Sequence, residues 1–324
     1  MMAEPAGIAR AADSLRSARS VVLCGHVDPD GDATGSALGL TLALRSMGID
    51  AVPTLADDGP PPAAYGFLPG FDLYRPVAEL TKPDVFVALD TPTPARLGVA
   101  LQLAQEATER VIIDHHPDSA CFLSSVCAID SGAAATGELI WDLLPALGVV
   151  PDRDMATCLY TALVTDTGRF QYTNTRAVTL RHAADMMEGG ADAHLIYRHV
   201  YESRSSGALA LVGRTLSRIK VANGGSAAYS WIDDDDLIDC GVSLAETETL
   251  IDQVRQLRGV DVAFLAKCTG GRCRVSMRSK GAADVGAVAR EMGGGGHCAA
   301  AGFTFEGDLP HLLATLLPKL PMRT

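Results

Sequence analysis

Short apolar stretches in the first part of the chain show no alternation with polar residues. A strand with this pattern is buried on both faces, as in a parallel sheet covered by helices. The helical spacing of apolar residues predicts a helix after most of these stretches, with glycine or polar residues at its end. The predicted strands are Val21–Gly25, Ile49–Leu55, Asp84–Leu89 and Val111–Ile113, and the predicted helices are 1–20, 33–47, 97–110, 133–147, 152–165 and 179–188.

This alternation of strands and helices predicts an α/β fold, with a doubly wound, mainly parallel sheet over residues 1–190. Helical character continues through 193–220, with an interruption near 203–207, so we expect a helical linker over 191–220. Residues 221–324 have a different pattern, with strands at 227–232 and 262–267 and helices at 244–257, 283–292 and 309–317. They predict a smaller α+β domain.

Residues 272–278 alternate between basic and apolar side chains. Cys273, Val275 and Met277 share one face of the predicted strand, and the other face carries Arg272, Arg274, Ser276 and Arg278, with Lys280 beyond it. This period of two is typical of a strand with one face on a core.

Composition limits the kinds of partner. The 324 residues are 48% hydrophobic, which is enough for a sizeable core, and the formal net charge is −12. Binding to long nucleic acid usually requires a basic balance, so the acidic charge favours small substrates and argues against long duplexes. No stretch approaches the ~20 apolar residues of a membrane span. The eight cysteines form no CxxC pair, so we expect reduced thiols, a cytoplasmic location and no membrane partner.

Polar groups follow three of the predicted strands directly. The first strand is followed by His26, Asp30 and Asp32, the third by Asp90, and the fourth by the run Asp114, His115 and His116. In open α/β sheets, ligands bind beyond the carboxyl ends of the strands. We therefore expect these side chains to converge, although about ninety residues separate the first from the last.

Asp166 follows a predicted helix, in a Thr-Asp-Thr-Gly turn. Taken singly, each acidic position could be a helix cap or a turn, and the histidine pair could lie on the surface. An EF-hand loop is poorly supported, because Gly35, Leu38 and Gly39 occupy its later ligand positions. Grouped together, these carboxylates would repel one another unless cations neutralise them. Carboxylate and imidazole ligands favour manganese, iron, cobalt or zinc, and two such ions would form a phosphoryl-transfer site.

The second predicted domain contains a candidate anion site. Gly293 to Gly296 precede His297, and consecutive glycines can expose backbone N–H groups to an anion. The stretch 267–280 has five basic residues and no acidic one. Arg278 is the best candidate for a phosphate contact, since a guanidinium matches phosphate geometry. A flexible loop and a solvated strand face are the simpler interpretations.

These motifs together resemble the DHH phosphoesterase family. The run His-x-Asp-Pro-Asp-Gly-Asp at 26–32, Asp90, Asp-His-His at 114–116 and Asp166 are similar to the ordered DHH motifs. The segments 275–280 and 293–297 are similar to the DHHA1 substrate domain. The resemblance covers nearly the whole chain, and its length and layout look most like NrnA-type members. Cys298-Ala299 departs from the pattern, because relatives often have Pro-Asn or a lysine-bearing segment there.

The resemblance implies a role for each matched position. His26 and Asp30 would bind one Mn²⁺, and Asp32, His115 and Asp166 a second, with Asp90 bridging; Mg²⁺ or Co²⁺ would also fit. Asp114 would orient a neighbouring ligand, and His116 would face the substrate phosphate. The substrate would be held in a cleft between the domains by Arg278, Ser279, Lys280, Gly294, Gly295, Gly296 and His297.

The resemblance implies short oligoribonucleotides of about two to five nucleotides, pApA and pAp as substrates, with cyclic di-AMP as a further candidate. A family II inorganic pyrophosphatase shares the first-domain motifs but has a different second domain. A RecJ-like exonuclease is another alternative, but it would be expected to have a longer chain. A nucleotide-binding regulator without turnover would be expected to have lost some of the metal ligands, whereas all six candidates are present here. A homodimer is expected from general frequency alone.

Overall fold

The computed structural model describes residues 5–123, 126–247 and 249–323. The chain divides into two compact units, Met1–Glu202 and Ser203–Thr324. Residues 1–4 of the helix expected over 1–20 lie outside the described residues.

The first unit is built on a five-stranded sheet. Its strands are β1 Ser20–Cys24, β2 Asp50–Thr54, β3 Val85–Leu89, β4 Glu109–Asp114 and β5 Val126–Ile129. Its helices are α1 Pro5–Ser17, α2 Gly31–Ser46, α3 Leu101–Glu106, α4 Thr136–Leu147, α5 Arg153–Asp166, α6 Ala177–Glu188 and α7 Ala193–Tyr201. Short 3₁₀ turns lie at Ala63–Tyr65, Phe71–Leu73, Val77–Glu79 and Pro94–Ala100.

All the strands of this sheet are parallel, in the order β2-β1-β3-β4-β5. Both faces are covered: Val21, Leu23 and Val87 pack under α1, α2, α4 and α5, whereas Val22 and Phe86 pack under α3. The expected doubly wound sheet is therefore confirmed. The strand order reverses between β1 and β3, which is where such sheets open a crevice for ligands.

The helices α2 and α5 approach each other closely through a row of glycines. Gly31, Gly35 and Gly39 lie four residues apart on α2, so they share one face of that helix. A Cβ at Gly35 would lie 2.4 Å from the carbonyl oxygen of Cys158 on α5. The contact brings the start of α2 beside the end of α5, where Asp32 and Asp166 lie.

A partly buried ion-pair cluster joins α4 to α6. His182 Nδ1 lies 3.1 Å from Glu138 Oε1, and His182 Nε2 lies 3.3 Å from Asp142 Oδ1. Burial lowers the pKa of His182, but the Asp142 and Glu138 carboxylates outweigh it and raise that pKa from 6.5 to about 9. The folded protein therefore favours charged His182.

The sign of this shift predicts a pH dependence of stability. Because the pKa of His182 is higher in the folded protein, its protonation adds to the free energy of unfolding. This contribution is complete below pH 6.5 and is lost as the pH rises to about 9. We expect wild type to lose about 1–2 kcal/mol relative to His182→Gln across that window. Urea denaturation of both proteins, without added metal, at several pH values measures the difference. A difference that stays constant with pH would contradict the assignment.

The second unit contains a six-stranded mixed sheet. Its strands are β6 Lys220–Ala222, β7 Ala227–Asp233, β8 Val262–Thr269, β9 Arg272–Ser279, β10 Gly295–Gly296 and β11 Ala300–Glu306. Its helices are α8 Ser206–Ser217, α9 Asp234–Cys240, α10 Leu250–Arg255, α11 Val285–Glu291 and α12 Leu309–Leu316, with 3₁₀ turns at Asn223–Gly225, Leu244–Thr247 and Leu317–Lys319.

The strand order is β10-β11-β9-β8-β7-β6, and only β7 and β8 pair in parallel. On β9, Cys273, Val275 and Met277 are buried, while Arg272 and Arg274 are exposed, in agreement with the alternation in the sequence. The smaller α+β domain is thus confirmed.

Several predicted elements differ from the structure. The helix expected over 97–110 is reduced to α3, because Gly98 has φ 46° and Glu109 and Arg110 pair with β3. The helix expected from 133 begins at Thr136, and residues 133–135 form a turn. Strands β5, β6, β10 and β11 and helix α9 were not predicted. Each is short or rich in small or acidic residues, so apolar periodicity does not reveal it.

The cysteine prediction was wrong for four of the eight residues, while Cys24, Cys158, Cys240 and Cys298 are free thiols as expected. We expected reduced thiols, but the structure pairs Cys121 with Cys127 and Cys268 with Cys273. Cys268 and Cys273 are register partners on β8 and β9. Antiparallel pairing places such residues directly opposite each other, which spacing along the sequence does not show.

Candidate metal centre

The polar side chains of the first unit converge where β1, β3 and β4 end. His26 follows β1 and is 7% exposed, and Asp90 follows β3 and is 2% exposed. Asp30 caps α2, where its Oδ1 accepts hydrogen bonds from the amides of Asp32 and Ala33 at 3.0 Å each. The crevice predicted at the ends of the strands is therefore lined by these groups.

Asp90 lies at the middle of the cluster. Its Oδ2 is 3.4 Å from His26 Nε2, and its Oδ1 is 3.4 Å from His115 Nε2. Both separations exceed the ~2.7–3.2 Å of an N–H···O hydrogen bond. Asp90 also has φ 54°, a left-handed conformation that Asp and Asn adopt more readily than most residues. Each of its two oxygens thus faces a different imidazole.

Asp32 and Asp166 complete the cluster around His115. His115 Nε2 lies 3.7 Å from Asp32 Oδ2 and 3.6 Å from Asp166 Oδ2. Asp30 Oδ1 lies 3.8 Å from His26 Nε2 on the other side of Asp90. Three groups of ligand atoms that could hold a metal therefore share Asp90. They are His26, Asp30 and Asp90; Asp32, Asp90 and His115; and Asp90, Asp114 and His116.

Asp114 and His116 are joined by two hydrogen bonds. Asp114 is fully buried, and its Oδ1 accepts hydrogen bonds from the amide and the Nδ1 of His116, at 3.1 and 2.8 Å. Ser119 donates to the other oxygen. His116 is less buried, with 19% of its side chain exposed, and its Nδ1 lies 3.4 Å from Asp90 Oδ1. Asp114 therefore fixes the orientation of His116.

The imidazole orientations fit a cation. His26 Nδ1 lies 2.7 Å from the carbonyl of Val27, and His115 Nδ1 lies 3.3 Å from the carbonyl of Ala133. A carbonyl only accepts, so both Nδ1 atoms carry hydrogen, and each Nε2 presents a lone pair to carboxylates unless it is protonated. A lone pair facing a carboxylate is unfavourable, whereas a divalent cation accepts from both. The donor set therefore fits a metal.

The pKa shifts of the clustered carboxylates and of His26 reflect the repulsion among the buried negative charges. Burial raises the pKa of Asp32 well above its usual range, and the charge of Asp90 adds to this. Burial also raises the pKa of Asp166 to about 6, against the effect of His115. Burial opposes the charge of Asp90, but His115 and His26 hold its pKa well below the usual range. Burial lowers the pKa of His26 as well, yet Asp90 and Asp30 raise it to about 9. Without metal, protons supply the neutralising charge.

The sequence did not reveal the residues that hydrogen-bond to the carboxylates of this cluster and fix their orientation. The amides of Thr136 and Gly137 donate to Asp32 Oδ2 and Oδ1 at 2.6 and 2.9 Å, and Ser36 Oγ donates to Oδ1 at 3.0 Å. Asn174 Nδ2 lies 3.4 Å from Asp166 Oδ2. The one signal available was the run of small residues at 131–137, which we assigned partly to a helix.

In the second unit, Arg278, Ser279 and Lys280 lie at the end of β9. Arg278 is partly exposed; its NH1 donates to Met277 O at 3.0 Å, and its Nε lies 4.0 Å from Asp252. Ser279 is 4% exposed and its hydroxyl bonds with Gly281, and Lys280 Nζ donates to Leu257 O at 2.6 Å. Lys280 is exposed and Arg278 is partly exposed, so both cations are accessible to a substrate, whereas Ser279 is buried.

The glycine segment is more ordered than a free loop. The amides of Gly293 and Gly294 donate to carbonyls at the end of α11, at 3.1 and 2.8 Å, so they differ from the open anion cradle that we expected. Gly295 and Gly296 form β10 against β11, and His297 follows them, partly buried. A Cβ at Gly294 would lie 2.1 Å from the carbonyl oxygen of Gly302. Close strand pairing therefore requires glycine at Gly294.

Comparison with known proteins agrees with this architecture. The DHH family, N-terminal domain, matches residues 20–163, and the DHHA1 domain matches residues 224–319. A bifunctional oligoribonuclease and PAP phosphatase NrnA from Thermus thermophilus is 34% identical over 291 residues, which are 89% of this chain and 84% of that protein. The cyclic-di-AMP phosphodiesterase GdpP of Geobacillus thermodenitrificans is 26% identical over 86% of this chain but 43% of its own length.

A solved structure shares the fold. An exopolyphosphatase-related protein from Bacteroides fragilis superposes with a TM-score of 0.87, at 23% identity, over 98% of this chain and 97% of that one. Within the described part of the chain, we find no helix long and apolar enough to cross a membrane. The matched domains and the 34% identity over most of both chains show that this protein belongs to the DHH phosphoesterase family, with a C-terminal DHHA1 domain and NrnA-type relatives.

Proposed function

We propose that this protein is a hydrolase that cleaves phosphoester bonds of short oligoribonucleotides and of pAp, with two divalent cations, Mn²⁺ foremost. The observation that carries this proposal is the position of Asp90, whose two oxygens each face a different histidine at 3.4 Å. The NrnA relative from Thermus thermophilus, which bears both activities in its name, supports the choice of substrates.

The ligand roles are taken from two of the groups of atoms around Asp90, the ones that contain His26 and His115. His26 and Asp30 would hold one cation, and Asp32, His115 and Asp166 the other, with Asp90 shared. Bound divalent cations supply Lewis-acid chemistry, since they neutralise phosphate charge and make a hydroxide nucleophile available near neutral pH. Asp30 is the most exposed of these carboxylates, with 54% of its side chain accessible.

His116 is the proposed contact to the reacting phosphate. The carboxylate of Asp114 accepts from its Nδ1, so we assign the phosphate contact to Nε2. Burial lowers the pKa of His116, but Asp114 and Asp90 outweigh burial and raise it. Charged His116 therefore holds a proton at Nε2 that it can donate to a phosphate oxygen. Asp114 orients this group and does not itself contact substrate.

Substrate selection is assigned to the second unit. Arg278 supplies a forked donor for a terminal phosphate. It lies on β9, which pairs with β11, and Gly295 and Gly296 form β10 on the other side of β11, with His297 directly after them. A net charge of −12 disfavours long polyanions. Cyclic di-AMP is a second candidate substrate, because the match to the GdpP relative covers 86% of this chain.

A substrate panel tests the proposal. We expect the protein with Mn²⁺ to hydrolyse pAp, pApA and three- to five-nucleotide RNA faster than long RNA, cyclic di-AMP or pyrophosphate. Chelation with EDTA should abolish turnover, and Mn²⁺, Mg²⁺ or Co²⁺ should restore it to different extents. Preferred cleavage of pyrophosphate, or of long single strands end to end, would favour the pyrophosphatase or the exonuclease reading. Full activity after metal removal would reject the two-cation site.

A further inference from the structure

The segment 133–137, which we call the turn 133–137, runs from the bend before α4 into its first two residues and contacts three of the six candidate metal ligands. In the segment 133–137, Ala133 O faces His115 Nδ1 at 3.3 Å, and the amides of Thr136 and Gly137 bind Asp32. Thr136 Oγ1 also donates to Asp90 Oδ1 at 3.2 Å. Any displacement of this turn therefore moves several ligands at once.

Asn174 ties Asp166 to the same turn. Its Nδ2 donates to Ala134 O at 2.9 Å and lies 3.2 Å from Asp166 O and 3.4 Å from Asp166 Oδ2. Three acceptors around one amide nitrogen fix the side-chain orientation, because the Oδ1 atom would repel them in that place. Asp166 thus reaches the turn that holds Asp32 and His115 through a single side chain.

The loop that delivers Asn174 has an unusual backbone. Gly168, Arg169 and Phe170 have φ of 53°, 65° and 62° in succession. The left-handed backbone conformation raises the free energy of the two non-glycine residues, and such strain persists where the surrounding structure imposes it, often at functional sites. Phe170 N donates to Thr167 Oγ1 at 3.1 Å, which closes the loop. The chain therefore reverses within eight residues and places Asn174 against Asp166.

The turn is anchored from its other side by the buried Glu138. Glu138 Oε2 accepts from Ala134 N at 2.6 Å, and His182 Nδ1 lies 3.1 Å from Glu138 Oε1. Ala134 is consequently held at both its amide and its carbonyl. Asn174 is the one of these two anchors that also contacts a candidate ligand.

We propose that Asn174 is a positioning residue that fixes Asp166 relative to the turn 133–137, and so sets the affinity of the Asp32–His115–Asp166 half of the site for a divalent cation. This inference rests on the proposed function. In this role Asn174 acts through Asp166 and the turn 133–137 and is not itself a ligand. Residues that orient ligands in this way typically contribute about 10–100-fold to metal affinity.

The test is Mn²⁺ binding to Asn174→Ala, measured by titration and electron paramagnetic resonance. We expect wild type to bind two ions and the variant to bind one as before and the other about 10–100-fold more weakly. Because the ligands themselves remain, raising the Mn²⁺ concentration should restore most of the kcat of the variant. A change confined to general stability would not produce this selective loss.

Asn223→Ala is the matched control. Asn223 Nδ2 also donates to backbone carbonyls, Leu317 O at 2.8 Å and Leu320 O at 3.2 Å, but it lies in the second unit. It should lower the melting temperature and leave Mn²⁺ binding unchanged. Should Asn174→Ala fail to fold, Asn174→Ser, which keeps polarity but is too short to bridge, replaces it.

The outcomes separate the two proposals. If wild type binds no divalent cation, the proposed function fails. If wild type binds two ions and the Asn174 variants bind both with equal affinity, the function stands and the positioning role of Asn174 is wrong. A loss of Mn²⁺ affinity in Asn223→Ala equal to that in Asn174→Ala would also overturn the role.

Discussion

Replacing Asp90 with asparagine is expected to reduce turnover on the order of a thousand-fold, or about 4 kcal/mol in activation free energy. Asp90 faces His26 and His115 through separate oxygens, so loss of its charge weakens both halves of the proposed site together. Asparagine is chosen over alanine because residue 90 has φ 54°, which asparagine tolerates better. The kcat for pAp at saturating Mn²⁺ measures the effect.

The control for this variant is Asp58→Asn, at an exposed position of the first unit. It makes the same change of charge and should retain wild-type turnover. Asp90→Asn should still show a single cooperative unfolding transition, so that the loss reflects the site and not the fold. Turnover near the wild-type level in Asp90→Asn would contradict the shared-ligand assignment.

Replacing Gly35 with alanine is expected to destabilise the protein by about 3 kcal/mol. The new Cβ would lie 2.4 Å from Cys158 O and 3.0 Å from Ala162 N. Both are backbone atoms of α5 and cannot rotate away, so the helices must separate. Urea denaturation measures the free energy of unfolding. Activity should fall as well, because α2 carries Asp32 and α5 carries Asp166.

Gly213→Ala is the matched control for this helix substitution. Gly213 lies within α8, and a Cβ there would meet no atom within 4 Å. The change should stabilise the protein by about 0.5–1 kcal/mol, since alanine loses less backbone entropy on folding. If Gly35→Ala had the same stabilising effect, the close approach of α2 and α5 would be disproved.

Much of the first unit could be predicted because its strands are apolar on both faces. Runs such as Val85–Leu89 are typical of a parallel sheet that is buried on both faces, and the polar residue after each run marks the carboxyl end of the strand. The prediction that His26, Asp90 and His115 would converge depended on this alone. The sequence also determined the excess of carboxylates, and hence the need for a cation.

Only the tertiary structure decided how the cluster is held. The small residues Ala133 to Gly137 read as the start of a helix, because alanine favours helices wherever no contact opposes it. In the fold Ala133 to Ala135 form a bend, and the helix begins only at Thr136. Carbonyls of this bend and amides of the first helical residues bind Asp32, His115 and Asn174. Backbone groups carry no sequence signal, so their partners appear only when distant segments meet.

The same limit applies to the cysteines and to Asn174. Cys268 faces Cys273 because two strands pair in register, and Asn174 meets Asp166 because a left-handed turn reverses the chain. Both depend on contacts between segments rather than on residue type. The sequence by itself therefore determined which chemistry the protein carries, through the charge and placement of its side chains. The tertiary structure decided the geometry, because hydrogen bonds across the fold orient those side chains.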